Sequence, residues 1–356
     1  VALSPDQALR AGRWVKWIGG ASNQDLAAIE DLAGVYSLVG VHCLDLAADP
    51  AVVAAARRGM DWATERGAPR PWLMVSLSDG VDPHFRKAWF APELCPSDCP
   101  RPCARVCPAL AIGPAGVLEP RCYGCGRCLP ACPLGLIEER QHLLAPAAVP
   151  ALLAELRPDA VELHTRLGRS AAFAERLGQL HGAGLSLRLL AVSCGLEAAA
   201  GEELAATGDS ASATPEALAA ELWDRFRQVR GFGLQPLWQL DGRPMSGDVG
   251  GGTALAAVRL LERVASQLPP GPLQLAGGTN SQTLALVERR GVPPVAGVAF
   301  GGVARARLRP LLQEVQSRGR RLLDDPELLE KALPIAGDLV EPWLRRRPGD
   351  PVAADA

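Results

Sequence analysis

The chain has 356 residues, 48% of them hydrophobic, which is enough for one large barrel-type core or two ordinary domains. Its 37 Lys and Arg nearly balance 39 Asp and Glu, so no sequence-wide positive charge favours nucleic acid or anionic lipid as a partner. No apolar run approaches the roughly 18 residues of a membrane-spanning helix, and Val1 to Arg13 lack the apolar stretch of a secretory signal, so a cytoplasmic protein is expected.

From the N-terminus, short apolar runs alternate with Ala- and Leu-rich stretches of helical period. Strands are predicted over 14–19, 41–47 and 72–77, with helices beginning near Asn23 and Pro50. The alternation then breaks over residues 83–140, which hold eight of the ten cysteines. Clustering of this kind in a chain without an export signal points to metal rather than disulfides.

The second half of that cluster reads Cys122-Tyr-Gly-Cys125-Gly-Arg-Cys128-Leu-Pro-Ala-Cys132-Pro133, the C-x2-C-x2-C-x3-C-P run of bacterial ferredoxins. Three cysteines so spaced in a Gly-containing loop can point at three corners of one iron–sulfur cube. In two-cluster proteins the fourth serves the other cluster. By that rule Cys122, Cys125 and Cys128 take Cys107, and Cys132 returns to the first site. The first half reads Cys95-Pro-Ser-Asp-Cys99-Pro-Arg-Pro-Cys103-Ala-Arg-Val-Cys107-Pro108, with two spacings one residue wider. The expectation is two clusters, [4Fe-4S] in type, with a [3Fe-4S] cluster the alternative at the first site. A pair of zinc sites fits less well, because zinc ribbons use two separated pairs of cysteines.

After the cluster the alternation resumes. A helix begins near Ala147, and strands follow at 160–165, 185–192, 236–240, 273–276 and 295–300, with helices from Arg169, Pro215, Gly252, Asn280 and Ala304. Eight units argue for a closed (β/α)8 TIM-like barrel formed by 14–82 and 141–320, with 83–140 a ferredoxin-like insert standing on its C-terminal rim. An open doubly wound sheet beside a ferredoxin domain is the alternative. Residues 321–356 read as a helical extension and tail, disordered from Arg345. The stretch 201–214 reads as a flexible loop.

Period-two reading turns Leu44, Leu46, Leu73, Val75, Val161, Leu163, Leu187 and Leu189 toward the helices. The alternate, lumen-facing positions are then polar: Cys43, Asp45, Ser76, Glu162, His164, Arg166, Arg188, Gln239, Asp241 and Gln274. Buried unpaired charge costs several kcal/mol, so these groups either pair with one another, as Glu162 and Arg188 could, or line a wet cavity. Lys16 suits either arrangement. Of these, Asp45, Glu162, His164, Arg166, Arg188 and Asp241 are the candidate reactive groups. Gly277-Gly278 and Gly301-Gly302 end strands seven and eight, where barrels commonly hold phosphate, although such pairs also serve as tight strand ends. In the alternative reading as an oxidoreductase, a flavin or other phosphorylated ligand would sit there. Residues 241–252 read as a rim loop carrying Arg243, Ser246 and Asp248 over the mouth.

Other chemistry is sparse. Ser193-Cys194-Gly195 reads as a buried strand end rather than a nucleophile, and His84, His142 and His181 read as solvated. Walker, GxGxxG and HExxH patterns are absent.

Together with the two cysteine runs, the strings at 17–26, 43–50 and 275–280 resemble the cyanobacterial light-dependent period A (LdpA) family, over about residues 14–312. The resemblance implies an iron–sulfur protein that passes light-dependent redox state to the circadian clock, with clock components and electron carriers as partners. It implies Cys122, Cys125, Cys128 and Cys132, and with them Cys95, Cys99, Cys103 and Cys107, as ligands. It assigns nothing to the barrel residues. A redox sensor is therefore favoured over an enzyme in which the clusters feed a ligand at the barrel mouth.

Overall fold

The computed structural model describes residues 3–80, 86–141, 144–196, 214–242 and 250–347. Eight parallel strands close into a barrel: β1 (Trp14–Gly20), β2 (Cys43–Ala47), β3 (Trp72–Ser78), β8 (Ala160–His164), β9 (Leu189–Gly195), β10 (Pro236–Asp241), β11 (Leu273–Ala276) and β12 (Gly297–Phe300). Closure is made by β1 against β12, with Trp14 opposite Gly297 and Trp17 opposite Phe300. The open doubly wound sheet is thereby excluded.

The local sequence accounts for the alternation. Helix Pro50–Thr64 begins where Asp49 accepts from the N–H groups of Ala51 and Val52, with Pro50 in the first turn, where its missing donor costs nothing. Helix Pro215–Gly231 starts in the same way on Thr214. Between helices and sheet lies one continuous apolar layer that includes Trp17, Leu44, Val75, Leu163, Trp238 and Val298.

The lumen has two levels. At the N-terminal end Trp14, Cys43, Trp72, Met74, Ala160, Leu189, Ala191 and Leu237 form a separate apolar plug. Above it the inward side chains are polar.

Strand β9 corrects the sequence reading. It runs Leu189–Gly195 rather than 185–192, and its inward residues are Leu189, Ala191 and Ser193. Leu190, Val192 and Cys194 belong to the outer layer. A run in which nearly every residue is apolar leaves the inward face undetermined, and the polar residue Arg188 was a misleading guide to it. Arg188 precedes the strand, and its exposed guanidinium stands 3.6 Å from Asp159. It therefore forms no pair with Glu162. The C-terminal end differs as well: helix Pro326–Leu344 is followed by Arg346, which donates to the carbonyls of Gly12 and Val295. The expected tail is thus anchored at its first residues, while 348–356 lie outside the described residues. So do most of the 201–214 stretch, the rim residues Arg243, Ser246 and Asp248, and His84 and His142. No helix among the described residues is long and apolar enough to cross a membrane.

Candidate metal centre and barrel interior

The insert is bracketed by β4 (Arg86–Trp89) and β7 (Glu138–Gln141), paired antiparallel. Inside it, a hairpin of β5 (Ile112–Gly113) and β6 (Gly116–Val117) separates the two cysteine runs. Each run ends in a short helix, Pro102–Val106 and Cys128–Ala131, which carry Cys103 and Cys128 inward onto Phe90 and Ile137.

The wider first run makes the same left-handed reversal as the second. Arg101 takes φ 47° ahead of its helix, and Gly126 takes φ 73° ahead of the other. At Gly126 the left-handed backbone itself disfavours a side chain, and a Cβ there would also have to displace the Arg86 guanidinium, 2.7 Å away.

The fold exchanges one cysteine between the runs. Cys107, Cys122, Cys125 and Cys128 line one cavity, together with Tyr123, Ile112 and Val117. Burial pushes the Cys128 thiol up to about 12, and the neighbouring Cys125, Cys122 and Cys107 add to the shift. Burial likewise raises Cys103, and there the neighbours that add to it are Cys132 and Cys95. Cys99 is half-buried on the loop ahead of helix Pro102–Val106. Backbone N–H groups reach two sulfurs at 3.3 Å, Ala88 to Cys122 and Ala111 to Cys107.

This donor set fits iron–sulfur clusters. Soft thiolates surround a space instead of converging on a point, and no three Cys, His, Asp or Glu side chains among the described residues come together as for a single metal ion. N–H donors at sulfur are the kind of interaction that tunes such a cluster's potential. Burial disfavours the thiolates of Cys103, Cys125 and Cys128, and a cationic metal centre would offset that cost.

Although the insert follows β3, it docks over the start of the barrel. Lys87 is buried, and its ammonium donates at 2.8 Å to the Ser22 carbonyl, to Gln24 Oε1 and to the Glu119 carbonyl. Burial lowers its pKa, and the neighbouring Cys122 counters that effect. Tyr123, between two cluster cysteines, lies under the Arg305 guanidinium at 4.5 Å. Arg305 in turn donates to the carbonyls of Ile18 and Gly19 at 2.8 and 3.1 Å. Neither Lys87 nor Arg305 was found by sequence reasoning. One Lys and one Arg outside any motif carry no signal until the docking is known.

In the barrel interior the polar residues satisfy one another. Lys16, fully buried, pairs with Asp45 at 3.0 Å and with Glu162. Ser76 donates to Asp45 at 2.6 Å, and Gln239 donates to Glu162 at 2.9 Å. Gln274 donates to Gln239 and accepts from the Trp14 indole at 2.6 Å. Toward the mouth, His164 lies 3.2 Å from Glu162, and Asp241 accepts from Ser193 and Gln239. Burial pulls the Lys16 ammonium down, but the two carboxylates outweigh it and hold it above its ordinary range. Burial raises the Glu162 carboxyl, against the pull of Lys16. Lys16 was the ion-pair partner to seek, because it occupies the same inward phase on β1 as Asp45 does on β2. Arg166 lies beyond the end of β8 in the following loop, where its carbonyl accepts from Arg225.

The glycine pairs differ in role. Gly277 and Gly278 have φ of 65° and 94°, and a Cβ on Gly278 would stand 2.9 Å from the Thr253 carbonyl. Thr253 closes this turn by donating to the Gly278 carbonyl at 2.6 Å. Gly301 and Gly302 open helix Gly302–Ser317, beside the docked insert. Cys194 is buried, its thiol pushed up to about 12, and His181 is exposed against Phe232.

Residues 95–143 match the family model of the LdpA Fe-S cluster-binding domain, and residues 152–342 match that of the light dependent period A C-terminal domain. The latter contains β8 to β12, so barrel closure also requires the strands ahead of the insert. Light dependent period A of Synechococcus elongatus is 47% identical over 349 residues, covering 96% of this chain and 94% of that protein. Among solved structures, a fructose-bisphosphate aldolase of Plasmodium falciparum is 11% identical with a TM-score of 0.45, covering 96% of this chain and 94% of that one. A tryptophan synthase of Mycobacterium tuberculosis is 11% identical with a TM-score of 0.43, covering 98% and 100%. On the identity across nearly its whole length, and on the two domain matches, this chain belongs to the light dependent period A family, with that family's iron–sulfur cluster-binding domain inserted in a TIM-type barrel.

Proposed function

We propose that the chain is a redox sensor with two [4Fe-4S] clusters, which reports light-dependent cellular redox state to clock partners. The exchange of cysteines between the two runs carries this reading: Cys107 sits with Cys122, Cys125 and Cys128, and Cys132 sits with Cys95 and Cys103. Cys99 completes the first set by its spacing. That exchange is the arrangement expected of a two-cluster ferredoxin module. One electron adds a unit charge at a shielded site, enough to bias a docking equilibrium of a few kcal/mol. The docking of the insert through Lys87, Tyr123 and Arg305 supports transmission of such a change to the barrel rim. Electron carriers and clock components are the partners in this reading, and no catalytic residue is needed.

Anaerobic purification with iron and sulfide counting, EPR before and after dithionite, and flavin extraction tests it. About eight irons without flavin are expected. A count near seven with an EPR signal in the oxidised protein would place a [3Fe-4S] cluster at the first site. Stoichiometric flavin would overturn the sensor reading in favour of an oxidoreductase fed by the clusters.

A further inference from the structure

Between the docked insert and the barrel helices Leu26–Leu38 and Gly302–Ser317 lies a groove of about 480 Å³. Among the described residues its charged lining is Arg105, Arg121, Arg127, Arg305 and Arg309, with Asp25 as the one carboxylate. In a chain of net charge −2 that is a pronounced local excess of positive charge. Asp25 stands 3.4 Å from Arg121 and so offsets only part of it. The Arg305 guanidinium lies 4.5 Å over the Tyr123 ring while its Nη1 is held by the barrel carbonyls. Gly302, in the first turn of a 16-residue helix, brings the positive end of the helix dipole to the same wall. Leu32 and Leu312 supply apolar lining, and Cys107 reaches the groove from the cluster side.

We propose that this groove binds a phosphorylated small molecule of nucleotide size. Concavity and volume match small-molecule sites, which run to about 300–1,000 Å³. Guanidinium groups recognise phosphate oxygens in pairs, and the apolar wall suits a base or other flat ring. The groove lies outside the barrel mouth and shares only Gly302 with the glycine positions first expected to hold phosphate.

Its position beside Cys107 has a further consequence, which rests on the cluster reading above. Reduction places one more negative charge next to an anionic ligand, so the ligand binds the oxidised protein more tightly. Reciprocally, the ligand makes reduction harder.

Titration calorimetry of the oxidised, full-length protein with ADP, adenosine and pyrophosphate tests the site. ADP is expected to bind, pyrophosphate to compete, and adenosine to bind at least tenfold more weakly. Arg105→Glu, at an exposed position, and Arg309→Gln are each expected to weaken ADP at least tenfold without changing iron content or circular dichroism. Failure of ADP and pyrophosphate to bind at millimolar concentration, equal affinity for adenosine, or capture of acidic protein alone would overturn the proposal. The coupling is read separately by repeating the ADP titration after dithionite. Weaker binding supports it, and unchanged binding with an EPR-verified reduced cluster removes it. A protein lacking any cluster signal would sink the sensor reading while leaving the first titration decisive for the groove.

Discussion

The ammonium of Lys87, in the first strand of the insert, stands 2.8 Å from the carbonyl oxygen of Ser22, in the loop after the first barrel strand. With Gln24 and Glu119 as its other acceptors, this one side chain ties three segments together at the edge of the second cysteine run. Lys87→Met removes the donor from the buried Ser22 carbonyl and from two part-buried acceptors on Gln24 and Glu119; the buried one costs about 1–3 kcal/mol unless water enters. The expected result is a loosened insert on an intact barrel: faster tryptic cleavage and hydrogen exchange within 86–141, with exchange in the barrel strands little changed. Equal protection in both proteins would show that Lys87 is not the latch.

The exchange of cysteines predicts which cluster each substitution removes. Cys107→Ser, though in the first run, should abolish the signal of the cluster held by Cys122, Cys125 and Cys128. Cys132→Ser, in the second run, should abolish the other. EPR of each variant, with iron counts halved, checks this. A loss that followed the runs as written in the sequence would refute the exchange.

Lys16 pairs with both Asp45 and Glu162. Lys16→Met leaves two buried carboxylates facing each other, a loss of about 3–5 kcal/mol. Denaturant unfolding at pH 7 measures it. Because protonating a carboxylate relieves the repulsion, the deficit should shrink as pH is lowered. A deficit independent of pH would point to packing instead.

Burial holds the His42 imidazole down, to about 4 from 6.5, while its Nδ1 accepts the N–H of Val15 at 3.1 Å. The unfolded chain therefore takes up this proton near pH 6.5 and the native protein only near pH 4. Stability from His42 is complete above the upper value and falls as pH drops through that window, by about 3 kcal/mol in full. His42→Asn keeps an acceptor for Val15 and removes the titration. Its unfolding midpoint should decline less than that of the unsubstituted protein between pH 7 and 4.5. Parallel declines would exclude His42 as a source of acid sensitivity.

How much of this was legible in the sequence depends on how local the determining interaction is. The spacing of Cys122, Cys125, Cys128 and Cys132 named the cofactor class, because ligands a few residues apart are positioned by the turn they share. Alternating apolar runs named the barrel, and most lumen positions followed from period-two reading, including Asp45, Glu162, Gln239 and Gln274. Phase failed on β9, where apolar residues fill both faces and only pairing with β8 and β10 decides which side points inward. The pairing of Lys16 with Asp45 and Glu162 joins residues 29 and 146 positions apart, and no local pattern contains it. The docking of the insert joins Arg305 to Tyr123 in the same way, and with it comes the basic groove. Local chemistry thus determined the iron–sulfur class of the cofactor and the order of strands along the chain. Barrel closure, which brings the two ends of that chain side by side, decided which charges meet and where the insert rests.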